Sequence, residues 1–206
     1  MAQHGTRHGV RTVLTGGAAV VALLATGCSG SDGDAKAEPA YDTKVKTQRI
    51  GAAGSPCALP VAFDIPAAWK VNEAVPVERT GMAVEYSEYL CELDARPGGG
   101  KGSIRIHNDQ SRLSQPRESL ERFIRAGRLT ERKNVEYRDT KAGPYKAVEV
   151  SYEGYNESRK ARVKDTRIAF EAPQGLVVFS VEALDPVDHD ALLPELDRIK
   201  DTLKAS

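Results

Sequence analysis

The residue types that do chemistry are sparse in this 206-residue chain. Cysteine occurs three times, at Cys28, Cys57 and Cys91, and histidine four times, at His4, His8, His107 and His189. A metal site built on His107 and His189 would need further ligands drawn from the carboxylates. Surface histidines, one on the outward face of a strand and one beside a helix cap, are the simpler reading. No serine sits in a nucleophile-elbow pattern, and no cysteine is left over for thiol chemistry once the three are assigned below. Gly98-Gly99-Gly100-Lys101-Gly102-Ser103 has the glycine content of a phosphate loop. That pattern fails, because position 95 is alanine, Gly102 stands where Ser or Thr must follow the lysine, and a strand rather than a helix comes next. Asp185, Asp188, Asp190 and Glu195 crowd together, but no glycine provides the sharp turn of a calcium loop. Acids favour the N-terminal end of a helix dipole, so helix capping accounts for them. No catalytic, cofactor-binding or metal-binding residue is therefore assigned.

Cys28 is different, because of what precedes it. Arg7 and Arg11 supply positive charge, and Thr12–Ala25 is apolar or small throughout. That run is shorter than the about 20 residues of a membrane-spanning helix and suits the apolar part of a signal peptide. Leu24-Ala25-Thr26-Gly27-Cys28 resembles the lipobox of bacterial lipoproteins, in which the cysteine thiol is joined to diacylglycerol and the leader is removed. It departs from the pattern at Ala25, where leucine is commoner, and Leu24 sits one place early. The resemblance implies a signal peptide over 1–27, lipidation at Cys28, and anchoring at the outer face of the cytoplasmic membrane. Two acyl chains, at about 0.8 kcal/mol per buried CH₂, hold a protein on a bilayer where one does not. Ordinary secretory cleavage near Gly27 and a single-pass anchor are the alternatives.

Loss of the leader removes Arg7 and Arg11 from 29 basic residues, leaving 27 against 29 acidic, a net charge of −2. Such a balance gives no electrostatic case for nucleic acid. Cys57 and Cys91 remain as an even pair in an exported chain, which reads as a disulfide contributing about 4 kcal/mol by loop closure, with two buried thiols as the alternative. Ser29 to Gly54 is rich in Gly, Ser, Ala, Asp and Lys and poor in large apolar residues, so 28–54 is predicted to be a flexible tether. A docked arm over Tyr41 to Ile50 is the other possibility for its second half.

The elements that would position any site begin after Cys57. A strand over Leu59–Ile65 ends at Pro66-Ala67-Ala68-Trp69, with Trp69 turned to the core rim. Met82–Tyr86 alternates as a half-buried strand, and Tyr89, Cys91 and Leu93 continue the alternation. Ile104 and Ile106 face inward opposite Arg105 and His107. A helix from about Gln115 to Leu129, capped by Ser114, carries Leu120, Phe123, Ile124 and Gly127 on its core stripe. In it Glu118 pairs with Arg122 and Glu121 with Arg125, while Arg128, Arg132 and Lys133 gather at the far end. A solvated face explains this basic segment, with contact to anionic lipid or wall polymer as the alternative. A strand with Val135 and Tyr137 follows, then one with Val148, Val150 and Tyr152 on a single face. Next comes a hairpin pairing Ile168 and Phe170 with Val177, Phe179 and Val181 around Pro173-Gln174-Gly175. A last helix buries Leu192, Leu196, Ile199 and Leu203, with Pro194 in its first turn or at a kink.

This order predicts an α+β fold, an antiparallel sheet covered by helices. Phe63-Asp64-Ile65-Pro66 with Trp69, the 114–129 helix, and Val177–Val181 leading into the last helix resemble the PsbP-like domains, most of all the LpqN-type lipoproteins of actinobacteria. The resemblance covers about Cys57 to Ser206, and the domain is expected over 55–206. It implies an α/β/α sandwich and a docking role rather than catalysis. The expectation is thus a monomeric, non-catalytic lipoprotein, bound to the membrane through Cys28 and to a protein or cell-wall partner through its domain. A small-ligand carrier with a pocket between sheet and helix is the alternative, and a hydrolase with a carboxylate site comes third.

Overall fold

Ten strands and two helices follow one another in the computed structural model, which describes residues 38–73, 87–111 and 115–206. The leader, Cys28, the strand expected over Met82–Tyr86 and the cap expected at Ser114 lie outside the described residues. Strands β1 (Thr47–Ile50) and β2 (Val61–Pro66) pair antiparallel, and the C-terminal β10 (Lys204–Ala205) adds to the other side of β2. The main sheet has seven antiparallel strands in the order β3-β4-β5-β9-β8-β7-β6. They are β3 (Lys70–Glu73), β4 (Ser87–Asp94), β5 (Gly102–Asp109), β6 (Leu129–Ala142), β7 (Tyr145–Asn156), β8 (Ala161–Ala172) and β9 (Gly175–Ala183). The chain leaves β5 in mid-sheet, crosses one face through helix α1 (Pro116–Ala126), and starts again at the far edge as β6. It then meanders back until β9 pairs with β5. Helix α2 (Pro186–Thr202) lies on the opposite face together with the small sheet.

Alternation decides which residues meet which layer, since successive side chains of a strand point to opposite faces. On the α2 face Ile104, Ile106, Ile168, Phe170, Phe179 and Val181 pack with Phe63 and Ile65 of the small sheet and with Leu192, Leu196, Ile199 and Leu203. On the α1 face Val150, Tyr152, Val163, Ala169 and Val178 pack under Leu120, Phe123 and Ile124. The Cys57–Cys91 disulfide, with Cα atoms 5.9 Å apart, joins the loop between β1 and β2 to β4 and so ties the small sheet to the large one. Trp69 is 8 % exposed and closes the turn from Pro66, its N–H donating to the Pro66 carbonyl at 3.0 Å. At the β6–β7 turn Gly143 has φ +56°, and a Cβ there would lie 2.1 Å from the Leu203 carbonyl oxygen, so only glycine lets the turn dock on the end of α2.

Several expectations change. Part of the tether is folded: the compact unit starts at Glu38, and β1 pairs along β2. Helix α1 stops at Ala126, with Leu129 already in β6, and its N-cap is Gln115, whose N–H donates to Glu118 Oε2 at 3.2 Å. The expected in-helix ion pairs are replaced by Arg122 with Asp109 and Arg117 with Glu121. Pro194 lies inside α2, because the helix begins earlier, at Pro186 behind the Asp185 cap. Val135 is 43 % exposed, because β6 is an edge strand whose register slips twice, with positive φ at Glu131 and Asn134. Bulges of this kind blunt an edge against pairing with other chains.

Candidate functional site

Helix α1 covers only part of its face of the sheet. Where it ends, the sheet floor is charged instead of apolar, because six strand positions facing α1's side are polar. Glu92 on β4 lies opposite Arg105 on β5, which lies opposite Ser180 on β9, which in turn lies opposite Arg167 on β8. Glu182 and Asp165 occupy the next row. Arg105 donates to Glu92 at 3.1 Å and to Glu182 at 2.8 Å. Arg167 grips Asp165 with two parallel bonds of 2.8 and 2.7 Å, the fork geometry that makes guanidinium–carboxylate pairs strong. Burial works against the Arg167 cation, but the Asp165 charge and hydrogen bonds outweigh it and hold its pKa above the ordinary arginine value. Crowding by the surrounding protein pushes the Glu182 carboxyl upward against the opposing pull of Arg105 and Arg167. Tyr89, beside Arg105, is pushed up to about 12, first by burial and then by Glu92.

Above this floor opens a cleft of about 710 Å³, bounded by the turn after β4, the ends of β5 and β9, the β7–β8 turn, and the segment Gly127–Leu129. Its mouth is lined by Arg96, Lys101, Arg128, Arg159 and Lys164, with apolar wall from Leu129, Val163 and Leu184. Arg159 reaches across and donates to the Ala183 carbonyl at 3.1 Å. Gly102 in the wall cannot carry a side chain: its Cβ would lie 2.5 Å from the Glu182 carbonyl oxygen and 2.7 Å from Leu192 Cδ1. Gly102 is therefore a packing device at the cleft's edge, and the run enters strand β5 as expected. Arg132, from the basic segment, caps α1 by donating to the Ile124 carbonyl at 2.6 Å.

Both histidines differ from the surface positions expected of them. His107 is 5 % exposed, because the face opposite Ile106 lies under α1, where Phe123 stands edge-on to the imidazole at 5.1 Å. Its Nδ1 contacts Ser87 Oγ at 3.2 Å. Burial, then Arg167 and Arg105, depress its pKa to about 3. A Ser–His contact with so weak a base does not activate a hydroxyl near neutral pH. His189 is 2 % exposed inside α2, with Nδ1 3.1 Å from Asp190 Oδ1. Asp185 caps α2, accepting from the Val187 and Asp188 N–H groups at 2.9 Å each, as the capping reading anticipated. Among the described residues no three His, Cys, Asp or Glu side chains gather as a metal site, and no helix is long and apolar enough to cross a membrane.

The charged floor was missed in the sequence, yet its signal is there. Arg105, Asp165, Arg167, Ser180 and Glu182 alternate with core residues such as Ile104, Ile106, Ile168 and Val181. That is the period-2 mark of a polar second face, readable only once the covering helix is known to stop short.

The fold is an antiparallel, sheet-dominated α+β domain, and the chain belongs to the family described as uncharacterised lipoprotein, which matches residues 28–203. It is accordingly a membrane-anchored lipoprotein. Among solved structures it is similar to cyanobacterial PsbP (CyanoP) from Synechocystis sp. PCC 6803, with a TM-score of 0.48 and 12 % identity over 79 % of this chain and 94 % of that one. It is also similar to a protein of unknown function, PA94, from Pseudomonas aeruginosa, with a TM-score of 0.39 and 14 % identity over 72 % and 89 %. No curated protein matches the chain.

Proposed function

We propose that this lipoprotein is a non-catalytic binding module for a cell-envelope partner, held at the outer face of the cytoplasmic membrane by a lipid on Cys28. On the residues Phe63–Pro66 with Trp69 we place it with the LpqN-type lipoproteins of actinobacteria. The family match opens on Cys28 itself, which supports that residue as the first of the mature chain and 1–27 as its signal peptide. The observation that carries the binding role is the open cleft beside α1, where the sheet's charged floor is left uncovered. What speaks against catalysis is that the floor's carboxylates are engaged by Arg105 and Arg167, and that His107 is too weak a base. The carrier reading draws on the cleft volume, which falls within the about 300–1,000 Å³ of small-molecule sites. It ranks second because no aromatic side chain lines the cleft among the described residues.

The test is a photo-crosslinking residue placed in intact cells at Leu184, which is 61 % exposed at the cleft mouth, and, as a control, at Lys146 in β7, next to the distant β6–β7 turn. Adducts from position 184 alone support the cleft as the contact surface; equal adducts from both positions overturn it. Palmitate labelling of wild type but not of Cys28→Ala supports the anchor, and label that persists in the variant refutes it.

A further inference from the structure

The lining of the cleft is richer in basic side chains than the chain as a whole. Seven of its lining side chains are basic and three are acidic, whereas residues 28–206 as a whole hold 27 basic against 29 acidic. The three acids lie on the floor, where Glu92 and Glu182 face Arg105 and Asp165 faces Arg167. At the mouth the arrangement is reversed. Arg96 is held by Asp94 at 2.8 Å, Lys101 by Asp188 at 3.7 Å and Lys164 by Asp190 at 2.6 Å, and none of these acids lines the cleft. The Arg96 and Lys101 side chains are 68 % and 73 % exposed. Ion pairs that wet are worth about 0–1 kcal/mol, so these cations can be shared with an incoming anion at little cost.

The ligand that fits follows by elimination. An excess of positive charge repels a metal cation. Nucleic acid would want bases stacked on aromatic rings, and among the described residues none lines this cleft. The lining also holds apolar surface: Leu184 is 61 % exposed, while Leu129 and Val163 are largely buried in the core beneath α1 and reach the cleft from there. A cluster of arginine and lysine is the usual receptor for phosphate oxygens.

We propose, resting on the cleft as the contact surface, that it binds an amphiphilic phosphate ester. The phosphate sits among Arg96, Lys101 and Arg159, and the apolar portion lies against Leu184, Leu129 and Val163. In the envelope such an ester is offered by an anionic phospholipid, and a free sugar or glycerol phosphate offers the same headgroup without the apolar part.

The mature chain carrying Cys28→Ser, which has no lipid of its own, is titrated calorimetrically with three probes: dihexanoylphosphatidylglycerol below its micelle concentration, dihexanoylphosphatidylcholine, and glycerol 3-phosphate. The anionic lipid should bind about tenfold or more tightly than either of the others. Lys101→Ala with Arg159→Ala should weaken it by about tenfold or more without lowering the melting temperature, whereas Lys141→Ala with Lys146→Ala removes the same charge at the far turn and should change nothing. Equal affinity for glycerol 3-phosphate and the lipid overturns the apolar half of the assignment, and equal affinity for the choline lipid overturns its charge. Absence of binding by all three to the folded wild-type chain overturns it altogether. Position-184 crosslinks that persist in that last case would leave the contact surface standing while this inference falls.

Discussion

Arg198 lies over Tyr41, its guanidinium carbon 4.5 Å from the ring centre, although 157 positions separate the two in the chain. The same guanidinium donates to the Asp42 carbonyl at 2.7 Å and to Glu195 at 2.6 Å, while the Tyr41 hydroxyl donates to Asp201 at 3.2 Å. One buried arginine of α2 thus holds the incoming chain against the domain, and β1 continues that docking along β2. A cation–π contact of this kind is worth about 0.5–2 kcal/mol. Tyr41→Ala should therefore leave the fold intact yet speed trypsin cleavage after Lys44 and Lys46 several-fold. Unchanged cleavage kinetics would show that β1 alone holds the arm.

The disulfide adds a further covalent link between two sheets that are also joined by the short turn from β2 to β3 and by side-chain packing. Denatured, unreduced mature protein should show no free thiol from Cys57 or Cys91. Cys57→Ala with Cys91→Ala should cost about 2–5 kcal/mol, a fall in melting temperature of about 2–4 °C for each kcal/mol in a domain of this size. Two titratable thiols in the wild-type chain would refute the bridge.

What the sequence revealed and what it hid divide along one physical line. Ile168, Phe170, Val177, Phe179 and Val181 alternate cleanly, so the central hairpin and the face it buries were legible. The α2 stripe of Leu192, Leu196, Ile199 and Leu203 was legible for the same reason. His107 was misplaced because alternation assigns a residue to a face but does not say whether that face is covered, and α1 covers it. The arm was misread because its anchor is supplied by Arg198 from the far end of the chain, which no local composition can show. The cleft floor was missed because its charges belong to four strands and meet only in the sheet register.

Trp69, the only tryptophan, tests the packing beside the cleft. A Cβ on Gly98 would lie 3.1 Å from its Cδ1, so the indole is wedged against the turn that carries Arg96. Removing a buried tryptophan costs about 3–5 kcal/mol. Trp69→Ala should lower the melting temperature by about 10 °C, and wild-type emission should be blue-shifted from that of exposed indole. A variant that melts like wild type would move Trp69 from the core to the binding surface.

The remaining prediction concerns acid. His107 is buried neutral, with Tyr89 from β4, Arg105 from its own strand and Arg167 from β8 as the titratable or charged groups around it, and Phe123 from α1 against the ring. Its pKa of about 3 in the folded state compares with about 6.5 unfolded. Between those values the unfolded chain takes up a proton that the native chain refuses, so stability rises with pH across the window. The stabilisation is complete above about pH 6.5 and is lost progressively as the pH falls toward 3. Asp94 and Asp190, both depressed by bonds to Arg96 and Lys164, lose their contribution only below the ordinary carboxylate range. Glu182, whose carboxyl burial pushes upward, takes up its proton sooner in the native chain than in the unfolded one and so works in the opposite sense; the loss of stability between pH 6 and 4 should therefore come largely from His107. His107→Gln, which cannot titrate, should flatten the melting temperature over that interval relative to wild type, whatever its stability at pH 7. Parallel wild-type and variant curves would show that a different group governs the acid response.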